Sequence, residues 1–185
     1  MDLLKIYYNQ TTDYPFLTLN APTVYQFIAN APFSMFNHAG VLLTAFIAYL
    51  LVFLVIQRKL PLTRENLVRL SMVSVLVLPY FLPRMHERYF FLADLISVVY
   101  TFYFPRYFFV PLAIGAVSAL SYTPFLFHQT SVDFRVLSTV MGVMAAMVTW
   151  DLAKAVMEAY RTRGAEAIGA EGVLGKSPGN IVQRS

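Results

Sequence analysis

One uncharged and almost wholly apolar stretch constrains the fold of the chain more than any other feature. Residues 40–56, GVLLTAFIAYLLVFLVI, contain no charged side chain. A run of about 17 such residues reaches the lower limit for an α-helix that spans a bilayer. Arg58 and Lys59 follow almost directly, and basic residues are typical of the membrane surface at the end of a span. The segment therefore predicts a transmembrane helix.

The composition supports the same class of protein. Hydrophobic side chains make up 58% of the 185 residues and charged ones 13%, whereas about 25% of an average soluble domain is charged. This balance argues against a water-soluble globule. The sequence contains no cysteine, which excludes disulfides and thiolate metal sites. The net charge of +4 is explained first by cytoplasmic loops, so we expect no nucleic-acid partner.

Four further apolar segments indicate more spans after the first. Together they predict an all-α fold, a polytopic transmembrane helix bundle of about five spans. Prolines and polar residues interrupt every apolar run before residue 40, which predicts an extracytoplasmic, interfacial segment over residues 1–39. The bundle then covers residues 40–160, and the Gly-rich polar residues 161–185 predict a flexible, disordered cytoplasmic tail. The four further apolar segments lie at about residues 67–82, 89–104, 107–127 and 136–150.

The basic residues predict how the bundle is oriented in the membrane. Lys and Arg near the ends of spans favour the cytoplasmic side. Ten of the 14 Lys and Arg residues lie on one side of the predicted bundle, and we therefore assign that side to the cytoplasm. This orientation places the N-terminal segment and the loops near residues 83–88 and 121–135 outside. The ten are Arg58, Lys59, Arg64, Arg69, Arg106, Lys154, Arg161, Arg163, Lys176 and Arg184, and the other four are Lys5, Arg84, Arg88 and Arg135.

The densest charge cluster lies on the less basic side, where two apolar segments meet. This charged knot, residues 83–88, has the sequence PRMHER. One interpretation is that its arginines are interfacial anchors with long apolar stems. The other is a phosphate site, in which the guanidinium forks of Arg84 and Arg88 match phosphate oxygens. His86 and Glu87 would then orient the arginines or a sugar hydroxyl.

A single acid lies within the third apolar segment. An ionised Asp94 inside a membrane requires a partner or a wet cavity, because burial of its charge costs about 2.5–3.5 kcal/mol. On a continuous helix Glu87, Ser97 and Thr101 would share its face. Asp94 is thus a candidate for a polar site inside the bundle, and the alternative is a hydrogen-bond network that fixes helix packing.

The sequence predicts neither a metal site nor a cofactor. His38 and His128 lie near predicted span ends, but neither has a second ligand at metal-binding spacing. The chain also lacks the GxSxG, GxxxxGK[ST] and GxGxxG motifs. Soluble hydrolase and nucleotide-binding mechanisms therefore have no motif to support them.

Two segments together resemble a known family over roughly residues 14–126. They are LTLNAPTVYQFI and VLPYFLPRMHERYFFLADLISVVY. The combination is similar to the C-terminal part of bacterial membrane mannosyltransferases related to the eukaryotic GPI mannosyltransferase II, in the GT-C superfamily. The residues that match the family motifs are Asn20, Ala21, Pro22, Tyr25, Arg84, Met85, His86, Glu87, Arg88 and Tyr89.

The resemblance implies transfer of a sugar from a polyprenyl-phosphate donor on the outer face of a bacterial cytoplasmic membrane. The family's catalytic acid lies in an early extracytoplasmic loop, and no segment here matches that loop, so no catalytic residue is assigned. We expect a C-terminal portion that is inactive alone, with a separate chain carrying the N-terminal catalytic half. The alternative is a non-enzymatic small membrane protein, such as an assembly or lipid-linked-sugar flipping component.

Overall fold

The computed structural model describes residues 16–127 and 132–174, with the backbone alone for residues 165–174. This part of the chain is predominantly helical, which confirms the predicted all-α fold. Two short strands, β1 (Thr18–Leu19) and β2 (Met85–His86), accompany the helices. The helices are α1 (Phe33–Gln57), α2 (Arg64–Phe81), α3 (Phe91–Tyr103), α4 (Phe109–Ser121), α5 (Thr123–Phe127) and α6 (Phe134–Leu174).

Helix α2 lies at the centre of the bundle, packed against α1, α3 and α6. Its buried side chains include Met72, Val73, Leu76 and Val77, which recur three and four residues apart. That spacing gives one apolar stripe along a helix. Helix α4 packs between α3 and α6 and closes the other side of the core. The core thus lies between α2, α3, α4 and α6.

Helix α1 lies at the edge of the bundle and exposes most of its apolar surface. Leu42, Phe46, Tyr49, Val52 and Ile56 are all exposed along its length. An apolar surface of this extent is typical of a membrane or of a protein interface. The helix begins at Phe33, seven residues before the predicted start at residue 40, because it incorporates the polar turn that follows Pro32.

Within residues 16–127 and 132–174, three helical segments are long and apolar enough to cross a membrane. They are Phe33–Gln57, Pro105–Phe127 and Phe134–Gly164. Helix α2 does not qualify, since its 18 residues include three charged ones, and α3 is only 13 residues long. A span requires about 20 predominantly apolar residues. The structure therefore supports a membrane protein, whereas the predicted count of five spans is not confirmed.

Ordered structure extends beyond the predicted bundle at both ends of the described part of the chain. Before α1, residues 24–28 form a short 3-10 helix, and Leu17 and Tyr25 are buried in the bundle. Helix α6 continues to Leu174, beyond residue 161 where the predicted flexible tail begins, through a segment rich in helix-forming Ala and Glu. Lys5, His128, Lys176 and Arg184 lie outside the described residues.

Candidate functional site

The charged knot is held in place by the N-terminal segment. Strand β2 pairs in parallel with β1, and the backbone N–H of Arg84 donates to the carbonyl of Leu17 at 2.8 Å. Asn20 forms a further bridge to His86. The two segments that carry the family resemblance are therefore in direct contact. We call this end of the bundle the knot end.

Both paired segments contain a residue with a left-handed backbone. Arg84 has a φ of 63° and Asn20 a φ of 54°. This conformation is uncommon for a residue other than glycine and costs about 1–3 kcal/mol outside the residue types that tolerate it. Asn belongs to the tolerant types, whereas Arg does not. The backbone at Arg84 is thus maintained by the surrounding contacts, and such strain is concentrated at functional sites.

The knot side chains differ in how far they reach into solvent. Arg84, His86 and Glu87 are half-buried, whereas Arg88 is exposed. The Arg84 guanidinium lies over the ring of Phe33, 5.4 Å from its centroid. The His86 ring lies 6.2 Å from that of Tyr89. The structure therefore brings all four predicted residues together on one short segment, with two arginine forks at its surface.

The N-terminal segment is in turn fixed to the helices beneath it. The Tyr25 hydroxyl donates to the carbonyl of Phe81 at 2.7 Å, at the last turn of α2. Burial raises the pKa of the Tyr25 phenol, so the group stays a neutral donor. The Ser138 hydroxyl of α6 donates to the carbonyl of Thr23 at 2.6 Å. The knot thus rests on a base formed by α2 and α6.

Asp94 lies between α3 and α4. Its Oδ1 accepts a hydrogen bond of 2.9 Å from the Ser118 hydroxyl. Ser97 and Thr101 donate within α3, to the carbonyls of Asp94 and Ser97. Glu87 belongs to the 3-10 turn before α3, so it does not continue the helix face that Asp94, Ser97 and Thr101 were predicted to share with it. The contacts of Asp94 are those of a helix-packing network.

Asp151, which the sequence does not single out, has more polar contacts than any other described side chain. It lies on α6 with 1% of its surface exposed. Its Oδ2 accepts from Nε of Arg69 at 2.9 Å and from the Tyr100 hydroxyl at 2.8 Å. Its Oδ1 accepts from the Tyr107 hydroxyl at 3.0 Å and from Nη2 of Arg106. These five residues form the Asp151 cluster.

The Asp151 cluster connects four parts of the bundle. Arg69 also donates to the side chain of Asn66 at 3.0 Å and lies over the ring of Phe104, 4.1 Å from its centroid. Because four donors surround the carboxylate, its buried charge is compensated and no site on it is left for a substrate proton. The cluster holds the helices together. One sequence feature indicates the cluster: Arg69 and Arg106 are both predicted on the cytoplasmic side of the membrane, where the last predicted span ends.

Neither end of the bundle contains a metal centre among the described residues, because no three His, Asp or Glu side chains stand close enough to share an ion. The knot carries two guanidinium forks, an exposed one on Arg88 and a half-buried one on Arg84, and such forks suit an anionic ligand. In comparisons with known proteins, no family model matches the chain, and neither a curated protein nor a solved structure matches it.

Proposed function

We propose that the chain spans a bacterial cytoplasmic membrane five times and binds a polyprenyl-phosphate sugar at its knot end, on the outer face. In this proposal it is the C-terminal portion of a GT-C glycosyltransferase that resembles the mannosyltransferases. Membrane lipid and the lipid-linked sugar are its ligands.

The single observation that carries the proposal is the contact between the two segments that resemble the family. Strand β1 pairs with β2, and Leu17 accepts from the backbone of Arg84. An interfacial anchor requires only a long cation at the right depth. It requires neither a strained backbone nor a paired strand. A defined direction for the Arg84 fork is instead what recognition of a phosphate needs.

The chemistry of the knot fits a lipid-linked sugar phosphate. Arg84 and Arg88 carry positive charge at the end of the bundle, and a guanidinium donates two parallel hydrogen bonds to phosphate oxygens. Glu87 and His86 lie between them in sequence and can accept from sugar hydroxyls or orient the arginines. The isoprenoid part of such a ligand would lie in the membrane beside the helices.

The proposal assigns donor binding to this chain and leaves the general base to a separate chain. Transfer requires a group that accepts the proton of the acceptor hydroxyl. Asp94 is not assigned as this general base, because its described partner is Ser118 inside the bundle. Asp151 is occupied by four donors in the Asp151 cluster.

A second candidate is a non-enzymatic role in assembly or in flipping of lipid-linked sugars. The exposed apolar surface of α1 favours it, because that helix is available to lipid or to a partner helix. Such a protein would tolerate loss of the knot. Removal of the arginine forks should therefore impair the donor-binding function and leave the non-enzymatic function intact.

The test is the affinity of the purified chain in nanodiscs for a polyprenyl-phosphate sugar. Arg84→Ala should weaken binding by about tenfold or more, since a charge-assisted hydrogen bond contributes about 1.5–3 kcal/mol. Arg135→Ala is the matched control, because Arg135 is an exposed arginine at the start of α6. If both variants bind as the wild type does, the donor-site proposal is wrong.

A further inference from the structure

A lateral groove separates α1 from α6 at the end of the bundle opposite the knot. Its volume is about 430 Å³, within the range of about 300–1,000 Å³ that is typical of ligand sites. Leu51, Leu54 and Val55 of α1 form one wall, and Val156 and Met157 of α6 form the other. Leu54 and Met157 are partly exposed, so the groove opens away from the bundle.

Two arginines close the far end of this groove. Arg58 at the end of α1 and Arg161 of α6 both line it. The Arg58 guanidinium lies over the ring of Tyr160, 4.6 Å from its centroid. Among the described residues, no carboxylate lies within 4.0 Å of either guanidinium. The groove is therefore apolar along its length and positively charged at one end.

The dimensions of the groove match one leaflet of a membrane. Its α6 wall extends from Thr149 to Arg161, which corresponds to about 18 Å of helix. Half of a hydrocarbon core about 30 Å thick is similar in length. Arg58 lies at the opposite end of α1 from Phe33, which contacts the knot. The groove is thus separate from the proposed sugar-phosphate site.

We propose that this groove binds an anionic phospholipid from the leaflet on the Arg58 side. One acyl chain lies along the apolar walls, and Arg58 and Arg161 bind the phosphate headgroup. The charge at the groove end favours an anionic lipid over a zwitterionic one. The ring of Tyr160 belongs at the headgroup level, where aromatic side chains are enriched in membrane proteins. A partner helix would cover the apolar walls but would leave the arginine pair without an anion.

The single tryptophan of the sequence provides the readout. Trp150 lines an adjoining cavity of about 420 Å³, which shares Thr149 and Ala153 with the groove. A brominated acyl chain that extends from the groove into this adjoining cavity would therefore reach the indole and quench its fluorescence. The full chain is reconstituted in phosphatidylcholine vesicles that contain a minor fraction of brominated lipid. We expect brominated phosphatidylglycerol to quench Trp150 more strongly than the same fraction of brominated phosphatidylcholine.

Three variants and one matched control define the site. Arg58→Gln and Arg161→Gln should each reduce the preference for phosphatidylglycerol by about fivefold, as expected for one basic residue at an anionic surface. Arg64→Gln is the matched control, because Arg64 is exposed at the same end of the bundle but does not line the groove. Ala153→Phe should reduce quenching by filling the groove from the α6 wall.

The outcomes separate the occupants. Inorganic phosphate without lipid should leave the quenching by phosphatidylglycerol unchanged, because it lacks an acyl chain. Displacement of the lipid by phosphate would show an anion site without a lipid groove and would overturn the proposal. Equal quenching by the two brominated lipids, as expected if the groove is a face for a partner helix, would overturn it as well. Neither result would bear on binding at the knot.

Discussion

Arg69 and Asp151 are 82 positions apart in the chain and meet through a hydrogen bond of 2.9 Å between Nε and Oδ2. The bond joins the beginning of α2 to the middle of α6. Around it, the side chains of Tyr100, Arg106 and Tyr107 complete the shell of the carboxylate. Because Asp151 has only 1% of its surface exposed, this contact lies inside the bundle and fixes α2 relative to α6.

Removal of the buried carboxylate charge should destabilise the bundle strongly. Asp151→Asn places an amide N–H₂ among donors and leaves two arginines without their counter-charge. Breaking a buried ion pair in this way costs about 3–5 kcal/mol. The measurement is equilibrium unfolding of the purified chain in mixed micelles.

Arg106→Gln is the control for this substitution. The Arg106 side chain is 60% exposed, so its contribution should remain within about 1 kcal/mol. Equal destabilisation by Asp151→Asn and Arg106→Gln would contradict the central position that we assign to the carboxylate.

Two glycines should respond oppositely to the same substitution. A Cβ on Gly40 would lie 2.0 Å from the Tyr25 hydroxyl oxygen, so Gly40→Ala must displace the ring that supports the knot. Overpacking of this kind costs about 1–3 kcal/mol. A Cβ on Gly115 would meet no atom within 4 Å, and Gly115→Ala should be neutral or stabilising by up to about 1 kcal/mol. Thermal unfolding in detergent measures both, and a more stable Gly40→Ala would contradict the close packing of the Tyr25 ring against Gly40.

The number of spans depends on the connection between α2 and α3. If α2 and α3 both cross the membrane, Tyr89 lies on the outer side. If neither crosses, Tyr89 lies on the cytoplasmic side, and the sides of the N-terminal segment and of α6 are unchanged. The chain has no native cysteine, so single cysteines can be labelled without background. With a membrane-impermeant reagent on intact cells, we expect Cys at Asn30 and at Tyr89 to react and Cys at Leu62 to remain unlabelled. Protection of Tyr89→Cys would leave three spans.

The isolated chain should bind a lipid-linked sugar without turning it over. No described carboxylate at the knot end is assigned as a general base, and transfer requires one. The measurement is release of labelled sugar from polyprenyl phosphate to an acceptor by the purified protein. Sugar transfer by this chain alone would show that the catalytic group lies within it.

The helices could be predicted from the sequence because hydropathy and the prolines act locally. The break between the predicted apolar segments 89–104 and 107–127 coincides with a 3-10 turn, Pro105–Tyr107, which separates α3 from α4. The additional turns at the start of α1 could not be predicted, since the polar residues that follow Pro32 give no apolar run. Strands of two residues, such as β1 and β2, are too short to show an alternating pattern.

The side-chain clusters depend on contacts between distant segments. Asp94 stands out within an apolar run, and its half-buried position between helices agrees with the predicted need for a partner. Asp151 follows Trp150 at the end of a predicted span, where an acid is unremarkable. Only the tertiary structure shows that two arginines from other helices converge on it.

The knot residues other than Arg84 give a graded test of the donor site. His86→Ala and Glu87→Gln should each weaken binding of a polyprenyl-phosphate sugar if these side chains orient the sugar or the arginines. The loss should be smaller than for Arg84→Ala, because in this arrangement the two side chains contact the sugar or the arginines and do not bind the phosphate themselves. Helix content, measured for each variant, checks that the bundle is intact. Wild-type affinity in both variants would exclude these roles.

The central claim is that Arg84 recognises a phosphate through its fork, and the comparison of Arg84→Lys with Arg84→Ala tests it most directly. Lysine keeps the charge but loses the bidentate geometry, so it should restore only part of the affinity for the polyprenyl-phosphate sugar in nanodiscs. An interfacial anchor would accept either long cation. We expect affinity in the order wild type, Arg84→Lys, Arg84→Ala, with about tenfold or more between the first and the last. Equal affinity of all three proteins would contradict the account.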